Sequence, residues 1–329
     1  MKRCIVCFLL VIFSQCSQKK PAIQRSFYYW KSVFKTSAAE QNILDSLSVN
    51  KLYVKFFDIA FQNNKPQPVA LVHFAQPPAT EIIPTVFITN QTIENIPETE
   101  VDSLAANIIR LINDIRLVNN LNDFKEIQMD CDWSRNTKDK YFRLLSLIKQ
   151  HDDVKDKVLS ATIRLHQVKY SLQTGAPPVD KGLLMCYNMG NLTNPSTTNS
   201  IIDPSELAKY ASHISNYMLP LDIALPVFDW FVWFRNNHYK GLVRTSAIKN
   251  TSLKDIKFEK DTIISGYSFH QHDRLRYEGS SMKDLEAAAD MIGKYLGLKN
   301  FNVVLFHLDE EQLEKYSIHE LENIFNRFH

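Results

Sequence analysis

The clearest indication of the fold is a segment of eight residues, Glu126-Ile127-Gln128-Met129-Asp130-Cys131-Asp132-Trp133. Polar and apolar residues alternate strictly along it. Successive side chains of a β-strand point to opposite faces, so the four polar residues share one face and the four apolar residues share the other. The apolar face predicts packing on helices, and the polar face predicts a side that points into a barrel. Barrel interiors are normally filled with branched apolar residues, so this polar row points to a functional site. The alternatives are a buried polar network and a solvated edge strand.

Further apolar runs on both sides of this segment predict more strands, with helical patterns between them. The predicted strands are Leu52–Ile59, Thr85–Thr89, Ile127–Trp133, Leu159–His166, Gly182–Met189, Ile223–Trp230, Thr262–Tyr267 and Phe301–Leu308. The predicted helices are Glu100–Val118, Lys138–Ile148, Glu206–Tyr217, Met282–Leu296 and a last helix to about Phe328. Asp203-Pro204 predicts the start of the third, Gly297 the end of the fourth, and Ser317 with Glu320 a capping box for the last. This repeated order is typical of a parallel sheet, and about eight strands favour an α/β fold of the TIM (β/α)8 barrel class. No Gly-x-Gly-x-x-Gly turn follows a strand, which argues against dinucleotide binding.

Composition narrows the possible functions. The chain has 329 residues, of which 45% are hydrophobic, so it can bury a large core. The formal net charge is only +2, and no basic run is long enough to follow a phosphate backbone, so we expect no nucleic-acid partner. Cys131 and Cys186 fall in predicted strands without paired histidines nearby, which predicts buried thiols and no metal site. No pattern indicates a cofactor.

The N-terminus predicts export and a lipid anchor. Lys2 and Arg3 precede an apolar stretch over residues 4–13 that is too short to span a bilayer. Phe13-Ser14-Gln15-Cys16 follows, and this order is similar to a bacterial lipoprotein signal in which Cys16 receives the lipid. The alternative is an ordinary secretory signal that is cut nearby. We therefore expect a signal peptide over residues 1–16, a tether over 17–27, and a single domain over 28–329 attached to the cell envelope.

Polar residues at the ends of the predicted strands form the candidate site. Active sites of such barrels lie at the C-terminal ends of the strands. The candidate catalytic residues are Asp130, Asp132, Tyr187 and Asp229, and the candidate substrate-binding residues are Asp58, Arg164, His166, Asn188, Trp230 and His307. Arg164 has an alternative role as the ion-pair partner of Asp130 or Asp132. The polar loop Asn191–Ser200 is expected at the barrel mouth, and the stretch Trp230–Ile263 is expected as an insertion over it.

Two short motifs carry a resemblance to known families. Asp130-x-Asp132-Trp133 and Met185-x-Tyr187-Asn188 resemble the two hallmark strands of chitinase-like glycosidases, Asp-Gly-x-Asp-x-Asp-x-Glu and Met-x-Tyr-Asp. The chain departs from that pattern at Ile127-Gln128, at Asn188, and at Ser134, which occupies the position of the general-acid glutamate. The chain also resembles a bacterial family of glycosidase-like TIM barrels of unestablished function. That likeness lies in Asp130–Asp132, Leu159–Thr162 and Ala224–Pro226.

This resemblance implies a glycosidase-like barrel and a carbohydrate partner, and it leaves three hypotheses. In a glycoside hydrolase, Asp132 would orient the sugar, Asp130 would tune Asp132 and Tyr187 would assist, with the acid supplied by Asp229, His166 or Asp58. In a glycan-binding lipoprotein without catalysis, exposed aromatic rings would stack on sugars. The candidates are Trp230, Phe231, Trp233 and Tyr239, whose alternative role is packing. The third hypothesis is a structural or assembly factor of the cell envelope.

Overall fold

The computed structural model describes residues 23–248, 255–296 and 300–328, and its central feature is a closed barrel of eight parallel strands. The barrel strands are β1 (Ile23–Tyr29), β2 (Lys51–Gln62), β3 (Glu81–Ile88), β4 (Glu126–Asp130), β5 (Val158–Arg164), β6 (Lys181–Met185), β7 (Leu221–Pro226) and β8 (Phe301–Phe306). Strand β1 pairs with β8 on one side and with β2 on the other, which closes the barrel. The predicted α/β TIM-barrel fold is confirmed.

One barrel strand was not predicted, and one predicted strand lies outside the barrel. Strand β1 begins at Ile23, inside the segment 17–27 that the sequence pattern assigns to the tether. Its apolar pattern is interrupted by Gln24, Arg25 and Ser26, so the sequence alone does not indicate a strand here. The strand is held by its pairing with two neighbours in the barrel. The predicted strand Thr262–Tyr267 is not part of the barrel. Its residues contribute to a separate hairpin, Thr262–Ile264 with Tyr267–Phe269, in the connection between β7 and β8.

Three barrel strands end three or four residues earlier than predicted. Strand β4 ends at Asp130, β6 at Met185 and β7 at Pro226. Proline has no amide hydrogen to donate to a neighbouring strand, so Pro226 ends β7 as its position in the sequence indicates. Asp132 and Trp230 therefore lie beyond the barrel strands, on the segments that form the mouth.

Ten α-helices are described. They are α1 (Ala38–Ser46), α2 (Asn90–Asn95), α3 (Val101–Val118), α4 (Lys138–Gln150), α5 (Leu165–Lys169), α6 (Ser171–Thr174), α7 (Pro204–Ala211), α8 (Met282–Leu296), α9 (Glu310–Leu313) and α10 (Ile318–Asn326). The Asp203 side chain accepts hydrogen bonds from the Ser205 and Glu206 amides, and Ser317 with Glu320 forms the predicted capping box. Helix α7 is shorter than predicted because a 3₁₀ turn, Ile214–Asn216, replaces its last residues. Gly297, which we expected after α8, lies outside the described residues.

The polar row of β4 faces the barrel interior, as predicted. Gln128 accepts a hydrogen bond from the Tyr28 hydroxyl of β1, and Thr162 Oγ1 of β5 donates to Asp130 Oδ1 at 2.6 Å. On the opposite face, Trp133 stacks on Tyr141 of α4, with ring centroids 5.4 Å apart. Strand β4 pairs with β3 and β5, so it is not an edge strand.

The insertion between β7 and β8 is a small unit that begins and ends outside the predicted range. Its antiparallel sheet has the order His238–Val243, Asp229–Arg235, Arg274–Gly279, Ile256–Lys257. A separate apolar core is formed by Phe231, Val243, Ile248, Phe258, Phe269 and Leu275. This insertion therefore folds around its own side chains and lays one sheet face against the barrel mouth.

The remaining short strands extend the barrel at its rim. Lys65–Val69 forms a hairpin with the end of β2, and Val33–Phe34 pairs with His73–Phe74. Cys131 and Cys186 are free and buried, in agreement with the sequence analysis. Within the described ranges, none of the helices is both long enough and apolar enough to cross a membrane.

Candidate active site at the barrel mouth

A cleft of about 610 Å³ opens at the C-terminal ends of the barrel strands. Its lining residues are Asp132, Arg164, His166, Asn188, Gly190, Leu192, Ser200, Trp230 and Leu242. Arg164 ends β5, Asp132 follows β4 and His166 lies on α5. The segment after β6 supplies Asn188, Gly190, Leu192 and Ser200, and the insertion supplies Trp230 and Leu242. Asp132, Arg164, His166, Asn188 and Trp230 were all expected at the site from the sequence.

An ion pair occupies the polar side of the cleft. Arg164 donates from Nε and Nη2 to the two carboxylate oxygens of Asp132, each at 2.5 Å. Gln167 of α5 fixes this geometry, since its side chain accepts from the Arg164 amide at 2.7 Å and donates to the Trp133 carbonyl at 3.1 Å. The bidentate pairing neutralises Asp132 and holds both side chains in one orientation.

Asp130 lies one layer deeper than Asp132 and is buried. Burial raises the pKa of its carboxyl to about 6, and the Asp132 and Asp58 carboxylates add to that rise. The Thr162 hydroxyl and the Arg164 guanidinium act in the opposite direction, because both favour the ionised carboxylate. Asp130 therefore exchanges a proton near neutral pH, directly beneath the ion pair.

Tyr187 and Asn188 follow β6 and take different roles. The Tyr187 ring is buried between Phe306 and Phe228, with centroids 5.4 and 6.0 Å away. Burial raises the pKa of its hydroxyl well above the usual value, and the neighbouring Asp130 adds to that effect. Asn188 adopts a φ of 52°, a conformation that asparagine tolerates better than most residues, and lines the cleft.

His166 completes the polar lining on α5. Partial desolvation lowers the pKa of its imidazole, and the Arg164 charge lowers it further. The ring is therefore mainly neutral at pH 7, with one nitrogen able to donate and the other able to accept a hydrogen bond. Such a group suits the recognition of a hydroxyl or an amide.

The aromatic wall of the cleft is held in place by a buried carboxylate. Glu278 accepts from Trp230 Nε1 at 2.9 Å and from Ser200 Oγ at 2.5 Å. Arg276 pairs with the other carboxylate oxygen and also donates to the Leu192 and Asn194 carbonyls of the mouth loop. Glu278 thus connects the insertion, the loop and the Trp230 ring in one network.

A close approach in the mouth loop explains its glycine. The Gly190 amide donates to the Ser200 carbonyl, and a Cβ placed on Gly190 would lie 2.9 Å from the Ser200 Cα. Any larger residue would push apart the two ends of this loop. Gly190 therefore lets the loop after β6 turn back beside Asn188 and form one side of the cleft.

Five of the predicted site residues are absent from the cleft lining: Asp130 and Tyr187 are buried, and Asp229, Asp58 and His307 have other surroundings. Asp229 is buried in the insertion, where it accepts from Thr245 and Tyr277 and pairs with Lys315 at 2.8 Å. Asp58 pairs with Lys55 at 3.2 Å. His307 follows β8, and its Nδ1 is buried with no partner among the described residues. The order of residues along the strands could not show that neighbouring cations hold these carboxylates away from the mouth.

The Glu278 network was not predicted, although polar and apolar residues alternate over Arg274–Glu278 as clearly as over residues 126–133. Four lining residues were not predicted individually either: Gly190, Leu192, Ser200 and Leu242. A mouth loop and an insertion were expected in these places, so their approximate position was predicted and their contacts were not.

The chemistry available in this cleft is restricted. Asp132 is the one carboxylate among its lining residues, and it is paired with Arg164. The Ser134 hydroxyl contacts Thr137 Oγ1, and a hydroxyl cannot serve as a carboxylic acid toward a leaving group. Glycoside hydrolysis by the common routes needs two carboxyl groups on either side of the bond. Across the described residues, no group of three or more metal-ligating side chains is present.

Several solved structures share the barrel fold of this chain. No protein-family model and no curated protein matches the chain. The spore cortex-lytic enzyme of Bacillus cereus superposes with a TM-score of 0.55 at 13% identity, over 94% of this chain and 75% of that one. The Ostrinia furnacalis Group IV chitinase, solved with allosamidin, gives 0.56 at 12% identity, over 93% and 98%. A chitinase of Chromobacterium violaceum gives 0.54 at 10% identity, over 93% and 99%. At these identities the likeness shows a shared fold.

Proposed function

We propose that the cleft binds a glycan chain of the chitin type and that the protein acts as a glycan-binding protein without hydrolysing its ligand. The observation that carries this proposal is the lining of the cleft, which combines the Trp230 ring with the polar side chains of Asp132, Arg164, His166 and Asn188. Aromatic rings pack on the apolar faces of sugars, and fixed polar groups recognise their hydroxyl and amide substituents. The fold likeness to chitinases supports the choice of glycan.

The state of Asp132 favours binding over hydrolysis. Both of its oxygens are occupied by Arg164, and the residue at the general-acid position is Ser134. The other carboxylates near the mouth are also engaged, Glu278 with Arg276 and Asp229 with Lys315. A substrate would meet a neutral ion pair in this cleft, because the one carboxylate of the lining is held by Arg164.

The test is retention of the purified domain on chitin beads together with an assay for reducing-end release. We expect retention that a soluble chitin oligosaccharide reverses, and no release of reducing ends. Trp230→Ala should abolish retention. Met218→Ala, which removes a side chain that is 75% exposed outside the cleft, should leave it unchanged. Failure of the wild-type domain to bind soluble chitin oligosaccharides or beads would overturn the proposal.

Hydrolysis is the second candidate, and the buried Asp130 is the observation that favours it. A carboxyl whose pKa is about 6 can carry a proton near neutral pH. If the wild type releases reducing ends, Asp132→Asn should abolish that release while sparing the fold. An active Asp132→Asn variant would remove Asp132 from any mechanism.

We further infer that the domain is displayed at the bacterial cell envelope through a lipid on Cys16, which lies outside the described residues. The order of basic, apolar and cysteine residues in positions 1–16 supports this location. Metabolic labelling with a fatty-acid analogue should mark the wild type and leave Cys16→Ala unlabelled. Equal labelling of both proteins would contradict the anchor.

A further inference from the structure

The insertion sheet separates its four aromatic candidates onto two faces. Phe231 and Trp233 pack in or against the core of the insertion. Trp230, Val232 and Phe234 alternate with them and therefore occupy the opposite face, which carries Trp230 into the cleft. This second face therefore continues from the cleft lining at Trp230 along the sheet.

One half of this face is covered and the other half is open. Arg274 and Arg276 lie beside Phe234, at 5.5 and 4.9 Å from its ring centroid, and donate to carbonyls of Leu192, Asn194 and Pro195 in the mouth loop. The strand His238–Val243 lies on the other side of Asp229–Arg235 and forms the outer edge of the sheet. The mouth loop therefore covers the arginine side and leaves the edge strand open.

Two exposed side chains on the edge strand continue the line that Trp230 begins. Leu242 is opposite Val232, is 37% exposed and lines the cleft. Tyr239 is opposite Phe234, contacts its ring at a centroid distance of 6.5 Å, and is also 37% exposed. The four-residue step from Trp230 to Phe234 spans about 13 Å along a strand, a distance that exceeds one sugar ring.

We infer that Tyr239 is a second sugar-stacking position and that the ligand is a chain of at least three sugar units, running from Trp230 past Leu242 to Tyr239. The inference rests on the proposed function, because Trp230 is taken as the first contact. The Tyr239 and Phe234 rings meet in an edge-to-face arrangement, with their planes 71° apart, and the exposed part of the phenol suits an amphipathic ligand such as a sugar. A short oligosaccharide would reach Trp230 alone, whereas a longer one would reach both rings.

The test is calorimetric titration of the folded domain with chitin disaccharide, tetrasaccharide and hexasaccharide. For the wild type, we expect the hexasaccharide to bind about tenfold more tightly than the disaccharide. Tyr239→Ala should remove that gain and leave disaccharide affinity unchanged. Ile263→Ala removes another exposed apolar side chain of the insertion, 78% exposed on a different sheet, and should retain the gain.

The outcomes separate the two proposals. Equal affinity of the wild type for all three lengths, or an unchanged gain in Tyr239→Ala, would overturn the second stacking position and leave binding at Trp230 intact. Absence of binding at every length would overturn the proposed function itself. Tryptophan emission of Tyr239→Ala should match the wild type, which confirms that Trp230 keeps its surroundings.

Discussion

The barrel interior is polar at both ends of its strands. The lower half, at the N-terminal ends of the strands, is built differently from the upper half, at their C-terminal ends. In the lower half, Lys181 pairs with Glu126 at 2.9 Å and with Asp222 at 2.6 Å, and Asn302 donates two hydrogen bonds to Asp222. These groups satisfy each other inside the barrel. In the upper half, Asp130 is buried without a cation on its own carboxylate, and Asp132 with Arg164 borders an open cleft.

The two ends of one alternating row therefore have different surroundings. Glu126, at the start of β4, belongs to a closed structural network, whereas Asp132, beyond its end, lines the candidate site. The buried-network interpretation is therefore confirmed for the lower part of the row, and the functional-site interpretation stays a prediction for its upper part. Substitutions in the lower half should change stability, and substitutions in the upper half should change ligand binding or its dependence on pH.

The largest expected effect is on stability, from Lys181→Met in the lower half. The substitution leaves Glu126 and Asp222 buried without their shared cation, and such a loss costs about 3 to 5 kcal/mol. Denaturant unfolding at pH 7 measures it. Lys125→Met is the matched control, because Lys125 is 81% exposed in its pair with Glu81. Equal effects of the two substitutions would contradict the structural role of the lower network.

The next effect is a pH-dependent gain in stability from Asp130→Asn. The folded pKa of about 6 exceeds the ordinary 3.8, so the folded wild type binds this proton more tightly and loses stability as the pH rises between these values. Asparagine imitates the protonated acid. The variant should be more stable by about 3 kcal/mol above pH 6, and the gain should vanish near pH 4. A difference that does not change with pH would contradict the raised pKa.

A smaller effect is expected from Ser200→Ala in the wall of the cleft. The substitution removes one of the donors to the buried Glu278 and leaves those from Trp230 and Arg276 in place. Loss of one hydrogen bond to a charged group costs about 1.5 kcal/mol. Thermal unfolding measures the loss, and a shift in tryptophan emission should accompany it because Trp230 shares the same carboxylate oxygen. An unchanged melting temperature would show that Glu278 does not depend on this contact.

The local order of polar and apolar residues was sufficient to predict the barrel and about half of the residues that line the cleft. The strict alternation at residues 126–133 and the Asp203 and Ser317 caps each reflect contacts within a few residues. Strand β1 escaped prediction because its pairing partners are Phe301–Leu305 and Lys51–Val54, far away along the chain. Asp229 was misplaced for the same reason, since its partner Lys315 lies in a distant segment.

The separation of a binding mouth from a structural base is tested most directly by affinity for chitin hexasaccharide. The titration compares the wild type, Lys181→Met and Trp230→Ala below their melting temperatures. We predict that Lys181→Met keeps the wild-type dissociation constant despite its lost stability. We predict that Trp230→Ala raises the constant at least about tenfold, the equivalent of about 1.4 kcal/mol. Wild-type affinity in Trp230→Ala, or an equal loss in both variants, would contradict the separation of a binding mouth from a structural base.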